Sequence, residues 1–322
     1  MTLTTTFFDS LIDDFGIWQH TDGTQPLLKE GYALDDATRG LLLTLELGRS
    51  EQSGVLFDYI KQSFRDNLWH GFATAQRQFI MAPASEDATG QVVWAMGSAI
   101  RQNFRVAEAR IIFDQAKAQL QSPHYLRGPV YALLGATDAD PEWAAQLAQD
   151  ILNRFNKTSR SWPWPEEYLT YGNGIIPYAL LRYGAKHAQA EAFDLGLQTL
   201  SFVDKACRLH HFLGPIGNQG WYGAANPHPP VFSQQPIDAA YMVWACQAAY
   251  VTSENPHWLT SAKEWMAWFD GDNITGQAVV DYKTGKCHDG IDGPSHISTN
   301  SGAESNVCYL LAKQLMDGSS LF

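Results

Sequence analysis

The sequence predicts an all-α protein whose helical hairpins close into an (α/α)6 toroid, and three observations support this fold class. Six turns rich in Gly or Pro each lead into an amphipathic helix that starts with small residues. The turns recur at intervals of roughly 40 to 70 residues, a period that suits a repeated helical hairpin. Four of the six helix starts carry carboxylates. The six segments are 31–39, 85–90, 127–132, 171–177, 234–240 and 301–305.

A ring of six hairpins places one helix of each hairpin inside and the other outside, so the inner helices start at one end of the ring. The carboxylates at these starts would then converge, and aromatic residues are abundant, with 11 Trp and 13 Tyr in the chain. Trp and Tyr combine a flat apolar face with a polar edge. We therefore expect an acidic cup with aromatic walls, which is suited to sugars. Its expected carboxylates are Asp35, Asp36, Glu86, Asp87, Asp238 and Glu304.

Apolar periodicity predicts the helices in chain order. Residues 8–17 form a first helix, and residues 31–47 form an inner helix whose acidic first turn suits the positive end of the helix dipole. Residues 55–80 form an outer helix and its return. Ser85 is a good N-cap for the second inner helix, which is apolar on nearly all sides over 92–97. The more amphipathic outer helices are 105–118, 141–156, 187–206 and 255–269.

Strand signals are few, and the remaining irregular segments are predicted to be loops. Residues 277–282, followed by the turn 283–286, predict one small β-hairpin. Three segments rich in Gly, Pro or polar residues do not fit a helix, and each lies before an inner helix, where it would form a loop over the cup. These loops are 161–168, 212–233 and 287–302.

Composition limits the partners and the compartment. The 322 residues contain no Ser/Gly-rich, Pro-rich or charged linker, which predicts one domain over residues 1–322. The net charge of −12 without a basic cluster argues against nucleic acid or an anionic membrane as partner.

The N-terminal residues do not read as a signal peptide, and no apolar run has the length of a membrane span. Four cysteines without a CxxC pair favour reduced thiols, so we expect a cytoplasmic protein.

The carboxylates at the helix starts predict acid/base chemistry. Glycosidic bond cleavage needs a proton donor beside the bridging oxygen and a second carboxylate that acts as nucleophile or activates water. The predicted catalytic residues are Asp36, Glu86, Glu166 and Glu304. Adjacent helical residues point about 100° apart, so we expect only one of each neighbouring acidic pair to face the cup. For each carboxylate, the alternative is a helix cap at the positive end of the dipole.

Side chains of the loops and first turns are predicted to contact the substrate. Arg39 follows Asp35 and Asp36 by one turn, where it either forms a surface ion pair or orients a carboxylate or a sugar hydroxyl. Trp162 and Trp164 either pack on the ring wall or provide a platform for a sugar. The predicted substrate-binding residues are Trp18, His20, Asp35, Arg39, Asp87, Trp162, Trp164, Tyr171, Asn173, Trp221, Gln234, Gln235 and Asn300.

The sequence predicts no metal and no cofactor. His210–His211 and Cys287–His288 lack the spacing of zinc ligands, and Asp289 with Asp292 lacks the calcium-loop pattern. A Gly-rich phosphate loop after a strand is missing from the sequence, as is a Gly-x-Ser-x-Gly nucleophile elbow. Transfer from a nucleotide sugar by this chain alone is therefore not expected.

Five sequence segments together carry a family resemblance. They are GYALDD at 31–36, SEDATGQVVWA at 85–95, WPWPE at 162–166 with LTY at 169–171, QQPIDA at 234–239 and NSGAES at 300–305. In these segments the chain resembles a bacterial and archaeal family of six-hairpin toroids that occur alone or fused behind retaining-type glycosyltransferase domains. The resemblance covers nearly the whole chain. It implies an (α/α)6 toroid that works on carbohydrates, and it suggests a glycosyltransferase as partner.

The chain departs from this family pattern at three positions. Gly172 and Ser233 stand where the family commonly has Asp, and Ser301 replaces a common Gln. Two carboxylates of the cup are thereby lost, which favours another substrate or a loss of catalysis. The carboxylates that do match are Asp35, Asp36, Glu86, Asp87, Glu166 and Glu304.

Three functions follow from these observations. The leading hypothesis is a glycoside hydrolase that acts on short oligosaccharides by carboxylate acid/base catalysis. The first alternative is a sugar epimerase or isomerase, which often uses a histidine to move a proton, and His20, His211, His288 and His296 lie in loops. The second alternative is a non-catalytic sugar-binding module that partners a glycosyltransferase, which the two missing carboxylates favour.

Overall fold

The computed structural model describes residues 3–208, 212–226 and 228–318 and shows a predominantly helical chain. None of the helices in these ranges is long and apolar enough to cross a membrane. The helices are α1 (Thr6–Leu11), α2 (Leu34–Glu46), α3 (Ser50–Gln62), α4 (Glu86–Arg101), α5 (Val106–Gln119), α6 (Arg127–Ala139), α7 (Pro141–Phe155), α8 (Ile175–Lys186), α9 (Ala190–Ala206), α10 (Pro236–Ser253), α11 (Pro256–Phe269) and α12 (Ala303–Met316).

The helices form two concentric layers, which confirms the predicted (α/α)6 toroid. The inner helices are α2, α4, α6, α8, α10 and α12. Each contacts the next, and α12 contacts α2, so the inner ring closes. Helices α3, α5, α7, α9 and α11 each pack on the inner helix before them, and α1 packs on α12 as the sixth outer helix. Because the inner helices are covered on all sides, nearly every residue of α10 up to Ala249 is buried.

Aromatic side chains from four inner helices fill the centre of the ring. The Trp94 and Tyr131 rings stack with their centroids 6.0 Å apart, and Trp94 meets Trp244 edge-on at 5.8 Å. Tyr178 contacts both tryptophans. Side chains of this kind bury about 150–250 Å² each. In the part of the chain that the structure describes, these side chains fill the centre of the ring, so they form a floor beneath the cup at the starts of the inner helices.

Glycines bring α4 and α6 into direct backbone contact at two levels, one near each end. A Cβ added to Gly90 would lie 2.2 Å from the carbonyl oxygen of Gly128, and a Cβ added to Gly97 would lie 2.4 Å from that of Gly135. Both helices thus carry Gly at positions seven residues apart, on the faces that meet. Only glycine permits this approach, because the atoms that a side chain would strike belong to the opposite backbone.

Gly135→Ala is expected to destabilise the protein by about 3 kcal/mol or more, at the upper end of overpacking effects. The added Cβ would lie 2.2 Å from the carbonyl oxygen of Val93, and this backbone atom cannot rotate away. Urea denaturation would measure the change. Gly54→Ala in α3 is the matched control, because its Cβ would meet only the flexible end of Arg105 at 3.3 Å, and alanine is the better helix former. Equal stability of the two variants would contradict the prediction.

All strands of the described residues lie in loops that lead from an outer helix to the next inner helix, where they form six antiparallel pairs. The predicted hairpin is confirmed as the β9–β10 pair, and the other five pairs are additional. Strands of two or three residues are too short to show a sequence period. The pairs are β1 (Thr21–Asp22) with β2 (Gln25–Pro26), β3 (Tyr32–Ala33) with β6 (Phe72–Ala73), β4 (Phe64–Arg65) with β5 (Leu68–Trp69), β7 (Tyr168–Leu169) with β8 (Tyr222–Gly223), β9 (Val280–Asp281) with β10 (Lys286–Cys287), and β11 (Ile291–Gly293) with β12 (His296–Ile297).

Two helix predictions extended too far. The helix predicted over 8–17 ends at Leu11, because the Asp13 carboxylate accepts hydrogen bonds from the amides two and three residues later and closes a turn. The outer helix predicted within 55–80 is present as α3 but ends at Gln62, and the return that follows it is not helical. The chain then makes the β4–β5 hairpin, whose turn residues Asp66 and Asn67 both have positive φ, 50° and 59°. That geometry is typical of a type I′ turn.

Candidate active site

Four charged residues from the first and last inner helices meet at the end of the ring where these helices start. Arg39 is buried, and its Nη1 lies 3.3 Å from Asp35 Oδ2 and 3.4 Å from Asp36 Oδ1. Its Nη2 lies 2.8 Å from Glu304 Oε2. We call Asp35, Asp36, Arg39 and Glu304 the Arg39 cluster. A single guanidinium thus holds three carboxylates in fixed positions.

A cavity of about 140 Å³ opens beside the Arg39 cluster. It is lined by the three carboxylates of the cluster, by a fourth carboxylate and a histidine from the neighbouring loops, and by small or amide residues. Cavities that enclose drug-sized ligands measure about 300–1,000 Å³, so this one is matched to a smaller group. The lining residues are Gln19, His20, Asp35, Asp36, Gln235, Asp289, Gly302, Glu304 and Ser305.

Burial gives two of these carboxyl groups a raised pKa. The Asp36 side chain is only 4% exposed, and burial, reinforced by the charge of Asp35, holds its pKa well above the usual range against the opposing charge of Arg39. Burial also raises the pKa of Glu304, again opposed by Arg39. The Glu304 side chain is 34% exposed. Glu304 therefore combines a raised pKa with a surface that a bound molecule can touch.

His20 borders the same cavity from the loop before α2. Its Nδ1 lies 3.0 Å from Asn300 Nδ2 and 3.8 Å from Asp289 Oδ2. The interaction with Asp289 raises the pKa of His20 above its ordinary value, although burial acts in the opposite direction. Asp289 is itself fixed, because its Oδ1 accepts a hydrogen bond of 2.6 Å from the Gly302 amide at the start of α12. The histidine is thus a positioned group that can carry a proton.

A second group of residues surrounds Arg127 at the start of α6. Arg127 is buried, and its Nη1 donates to both oxygens of Glu166, at 3.2 and 2.9 Å. Its Nε donates to the Tyr171 carbonyl at 2.7 Å, and its Nη2 donates to Thr170 Oγ1 at 2.8 Å and to Asn173 Oδ1 at 3.3 Å. We call Arg127, Glu166, Thr170, Tyr171 and Asn173 the Arg127 cluster. It connects the loop before α8 to the start of α6.

Asp87 lies between the two clusters. Its Oδ2 accepts a hydrogen bond of 2.6 Å from the Tyr171 hydroxyl. Burial raises the pKa of Asp87, while the charges of Arg127 and Arg39 both oppose the rise. Asp87 lies in the first turn of α4, and α4 packs on both α2 and α6, so the clusters at the starts of α2 and α6 are parts of one cup.

Asp238 is a buried carboxyl group of the cup that was expected there but was not assigned a role. Its Oδ1 accepts a hydrogen bond of 2.6 Å from the Gly172 amide, and its Oδ2 has no hydrogen-bond partner within the described residues. Burial raises the pKa of Asp238 to about 7, with Arg127 opposing and Glu304 reinforcing the rise. Gly172 has φ = +58°, a conformation that favours glycine. The departure from the family pattern at this position thus coincides with a turn whose amide binds Asp238.

Asp238 should lower the stability of the protein as the pH rises. In the folded protein Asp238 has a pKa of about 7 and keeps its proton until the pH approaches that value. In the unfolded chain its pKa is about 3.9. The stabilisation is fully present below the unfolded pKa and is lost as the pH rises through the folded pKa. Between about pH 5 and about pH 8 this loss amounts to about 2–3 kcal/mol.

Urea denaturation of the wild type and Asp238→Asn at these two pH values would measure this effect. Asn preserves the acceptor for the Gly172 amide but does not titrate. On going from about pH 5 to about pH 8, we expect the free energy of unfolding of the wild type to fall by about 2–3 kcal/mol more than that of Asp238→Asn. The comparison is needed because the raised pKa values of Asp36 and Glu304 act in the same direction. An unchanged difference would contradict the assignment.

The structure places several predicted site residues in supporting positions. Glu86 accepts hydrogen bonds from the His124 and Tyr125 amides, and these bonds lower its pKa although burial alone would raise it. Gln234 is buried, with its Oε1 accepting from Trp268 Nε1. Trp18 stacks on Tyr32, with centroids 4.2 Å apart. Gln235 and Asn300 remain beside the cavity, since Gln235 lines it and Asn300 binds His20.

Trp162 and Trp164 pack against the protein and do not offer an open ring face on which a sugar could stack. Trp164 is fully buried, and its Nε1 donates to the Tyr168 carbonyl. Trp162 donates to the Glu166 carbonyl and packs on Phe202. Trp221 has a positive φ of 46° in the loop before α10. Tyr171, in contrast, exposes its aromatic ring at the cup, and the sequence placed it among the binding residues without a special role.

The described residues contain no group of three His, Cys, Asp or Glu side chains arranged to hold a metal ion. His211, one of the four histidines considered for proton transfer, lies outside these residues, as does His210. His288 is half-buried, and burial lowers its pKa. Of the three that are described, His20 is the one that lines the cavity. The four cysteines are free and buried.

Solved structures share this fold. A D-mannose isomerase matches 96% of this chain and 94% of its own, with a TM-score of 0.73 and 13% identity. A cellobiose 2-epimerase from Bacillus thermoamylovorans matches 97% and 96%, with a TM-score of 0.70 and 12% identity. An α-mannanase from Bacteroides thetaiotaomicron matches 97% and 95%, with a TM-score of 0.59 and 12% identity. At such identities the likeness establishes the fold alone. No protein-family model and no curated protein sequence matches this chain.

Proposed function

We propose that this protein is a carbohydrate-active enzyme that hydrolyses glycosidic bonds in short oligosaccharides. The observation that carries the proposal is Glu304, a carboxyl group with a raised pKa that is exposed to a small cavity shared with three other carboxylates. A proton donor of this kind and a second carboxylate are the two groups that glycoside hydrolysis requires. The similar folds of solved sugar isomerases, epimerases and a mannanase support a sugar as substrate.

We assign the proton transfer to Glu304 and the second role to Asp35. Glu304 donates its proton to the bridging oxygen as the bond to the leaving sugar breaks. Asp35 has a side chain that is 36% exposed. It either attacks the anomeric carbon to form a glycosyl ester that water then hydrolyses, or takes a proton from a water molecule that attacks this carbon directly. Asp36 was one of the four carboxylates that the sequence favoured for catalysis, but it lies beneath the surface, where it binds Arg39. Arg39 holds all three carboxylates in place.

Product analysis tests the proposal directly. The purified protein would be incubated with gluco- and manno-oligosaccharides and with reducing monosaccharides, and the products followed by NMR. New reducing ends establish a hydrolase, and the anomer formed first reports retention or inversion. An interconverted sugar without new reducing ends overturns the hydrolase in favour of an epimerase or isomerase. Binding without any product overturns catalysis altogether.

A sugar epimerase or isomerase is the second candidate, and His20 is the observation that favours it. This histidine has a raised pKa, is positioned by Asp289 and Asn300, and borders the same cavity as Glu304. Abstraction and return of a proton beside a carbonyl group requires such a base. His20→Asn should then abolish interconversion, whereas it should leave a hydrolase that depends on Glu304 with most of its activity.

The remaining assignments concern the surroundings of the enzyme. A glycosyltransferase partner is supported only by the family resemblance and would be tested by co-purification with such an enzyme. A cytoplasmic location is supported by the four free, buried thiols, since reducing compartments preserve them. Substrate binding does not require either property.

A further inference from the structure

Tyr171 presents an immobilised aromatic ring at the surface of the cup. The residue is 41% exposed, in contrast to the buried Trp164. The Arg127 guanidinium lies 4.6 Å from the centre of its ring, and its hydroxyl donates to Asp87 at 2.6 Å. Both ends of the side chain are therefore held before any ligand arrives. Such preorganisation reduces the entropy that binding would cost.

Hydrogen-bond acceptors flank this ring. The Glu166 side chain is partly exposed, and both of its oxygens contact Arg127. A carboxylate offers about four acceptor sites, so Glu166 and Asp87 each retain sites beyond the bonds they make to Arg127 and Tyr171. An apolar ring face bordered by fixed carboxylates complements a pyranose, which has C–H groups on its faces and hydroxyls around its edge.

The Tyr171 ring belongs to the same end of the ring of helices as the Arg39 cluster but does not line its cavity. Asp87, which binds the Tyr171 hydroxyl, lies in the first turn of α4, and α4 packs on α2, whose first turn carries Asp35 and Asp36. The cavity beside Arg39 is small, about 140 Å³. A second sugar unit attached to one in the cavity must therefore lie outside it, and the loop before α8 with its Tyr171 ring is one of the other surfaces of the cup.

We propose that Tyr171, Asp87 and Glu166 form a binding subsite for a second sugar unit, so that the ligand of this protein is a disaccharide or longer. The ring of Tyr171 stacks against the sugar, and the two carboxylates accept hydrogen bonds from its hydroxyls. This inference rests on the proposed carbohydrate function, but it concerns binding and does not require hydrolysis.

Binding measurements test the subsite separately from catalysis. Cellobiose, mannobiose and the matching monosaccharides would be titrated into Glu304→Gln, which cannot turn them over by the proposed mechanism, with and without Tyr171→Ala. We expect Tyr171→Ala to weaken disaccharide binding about tenfold, the effect of a lost aromatic contact of about 1.4 kcal/mol, and to leave monosaccharide binding within about twofold. Tyr171→Phe should retain most of the affinity, because the ring remains.

Tyr125→Ala is the matched control. Tyr125 is 71% exposed on the neighbouring loop, and it binds Glu86 through its backbone amide and is not a member of the Arg127 cluster. Equal disaccharide affinity with and without the Tyr171 ring would overturn the subsite, as would failure of the parent protein to bind either disaccharide. If disaccharides bind through Tyr171 but the wild type never cleaves or converts them, the subsite stands and the proposed function fails.

Discussion

Glu304→Gln should reduce kcat by about 10²–10⁴-fold on natural oligosaccharides, the usual contribution of a general acid. Glutamine fills the same space and still accepts a hydrogen bond from Arg39, but it has no proton to donate to the leaving oxygen. The wild-type activity should also decline as the pH rises through the raised pKa of Glu304, because the acid form is lost. The variant should lack this decline.

Leaving-group chemistry distinguishes a lost proton donor from a damaged cavity. An aryl glycoside with a good leaving group needs little protonation, so Glu304→Gln should recover much of its activity on such a substrate. Glu142→Gln, an exposed position on the outer helix α7, is the matched control and should behave as wild type. Equal losses of activity on aryl and natural glycosides would exclude Glu304 as the acid.

Arg39→Ala should destabilise the protein by about 3–5 kcal/mol and abolish activity, because it leaves the buried carboxylate of Asp36 and two partly exposed carboxylates without their counter-charge. Arg39 is the buried cation that contacts Asp35, Asp36 and Glu304. Its charge opposes the rise in the pKa of Asp36 and of Glu304, so both pKa values should rise further without it. Denaturation at neutral pH would measure the loss.

Two further variants give this prediction a control. Arg77→Ala removes an exposed ion pair to Asp14 and should cost at most about 1 kcal/mol. Arg39→Ala combined with Asp36→Asn should recover part of the stability, since it removes the buried carboxylate of the cluster. If Arg39→Ala were no worse than Arg77→Ala, the Arg39 cluster could not be the structural centre of the cup.

Much of the fold was predictable because it depends on patterns that recur locally. The inner helices start within a few residues of the predicted turns, and the amphipathic outer helices follow their apolar period. The outer helix predicted within 55–80 is present, but it ends earlier than predicted because two residues with positive φ, Asp66 and Asn67, turn the chain back. A single hairpin turn of this kind is a weak signal within a longer apolar pattern.

The sequence predicted which residues gather at the cup, but it was less successful in predicting which side chains contact each other. For Glu86 and Asp87 only one side chain joins the clusters, as expected of adjacent helical residues. Asp35 and Asp36 both contact Arg39, because the long arginine side chain reaches residues three and four positions before it. The sequence had no means to pair residues across the ring, and so it missed Arg127, whose partner Glu166 lies on a distant loop.

Closure of the ring between α2 and α12 has a consequence for synthesis of the protein on the ribosome. Arg39 emerges early and Glu304 emerges with the last inner helix, so their contact cannot form until nearly all of the described chain has left the exit tunnel. Until then, the surfaces of α2 and α10 that pack against α12 in the folded protein are exposed. An unfinished chain would therefore have neither a complete site nor a sealed core, and it would be inert towards substrate and open to proteolysis.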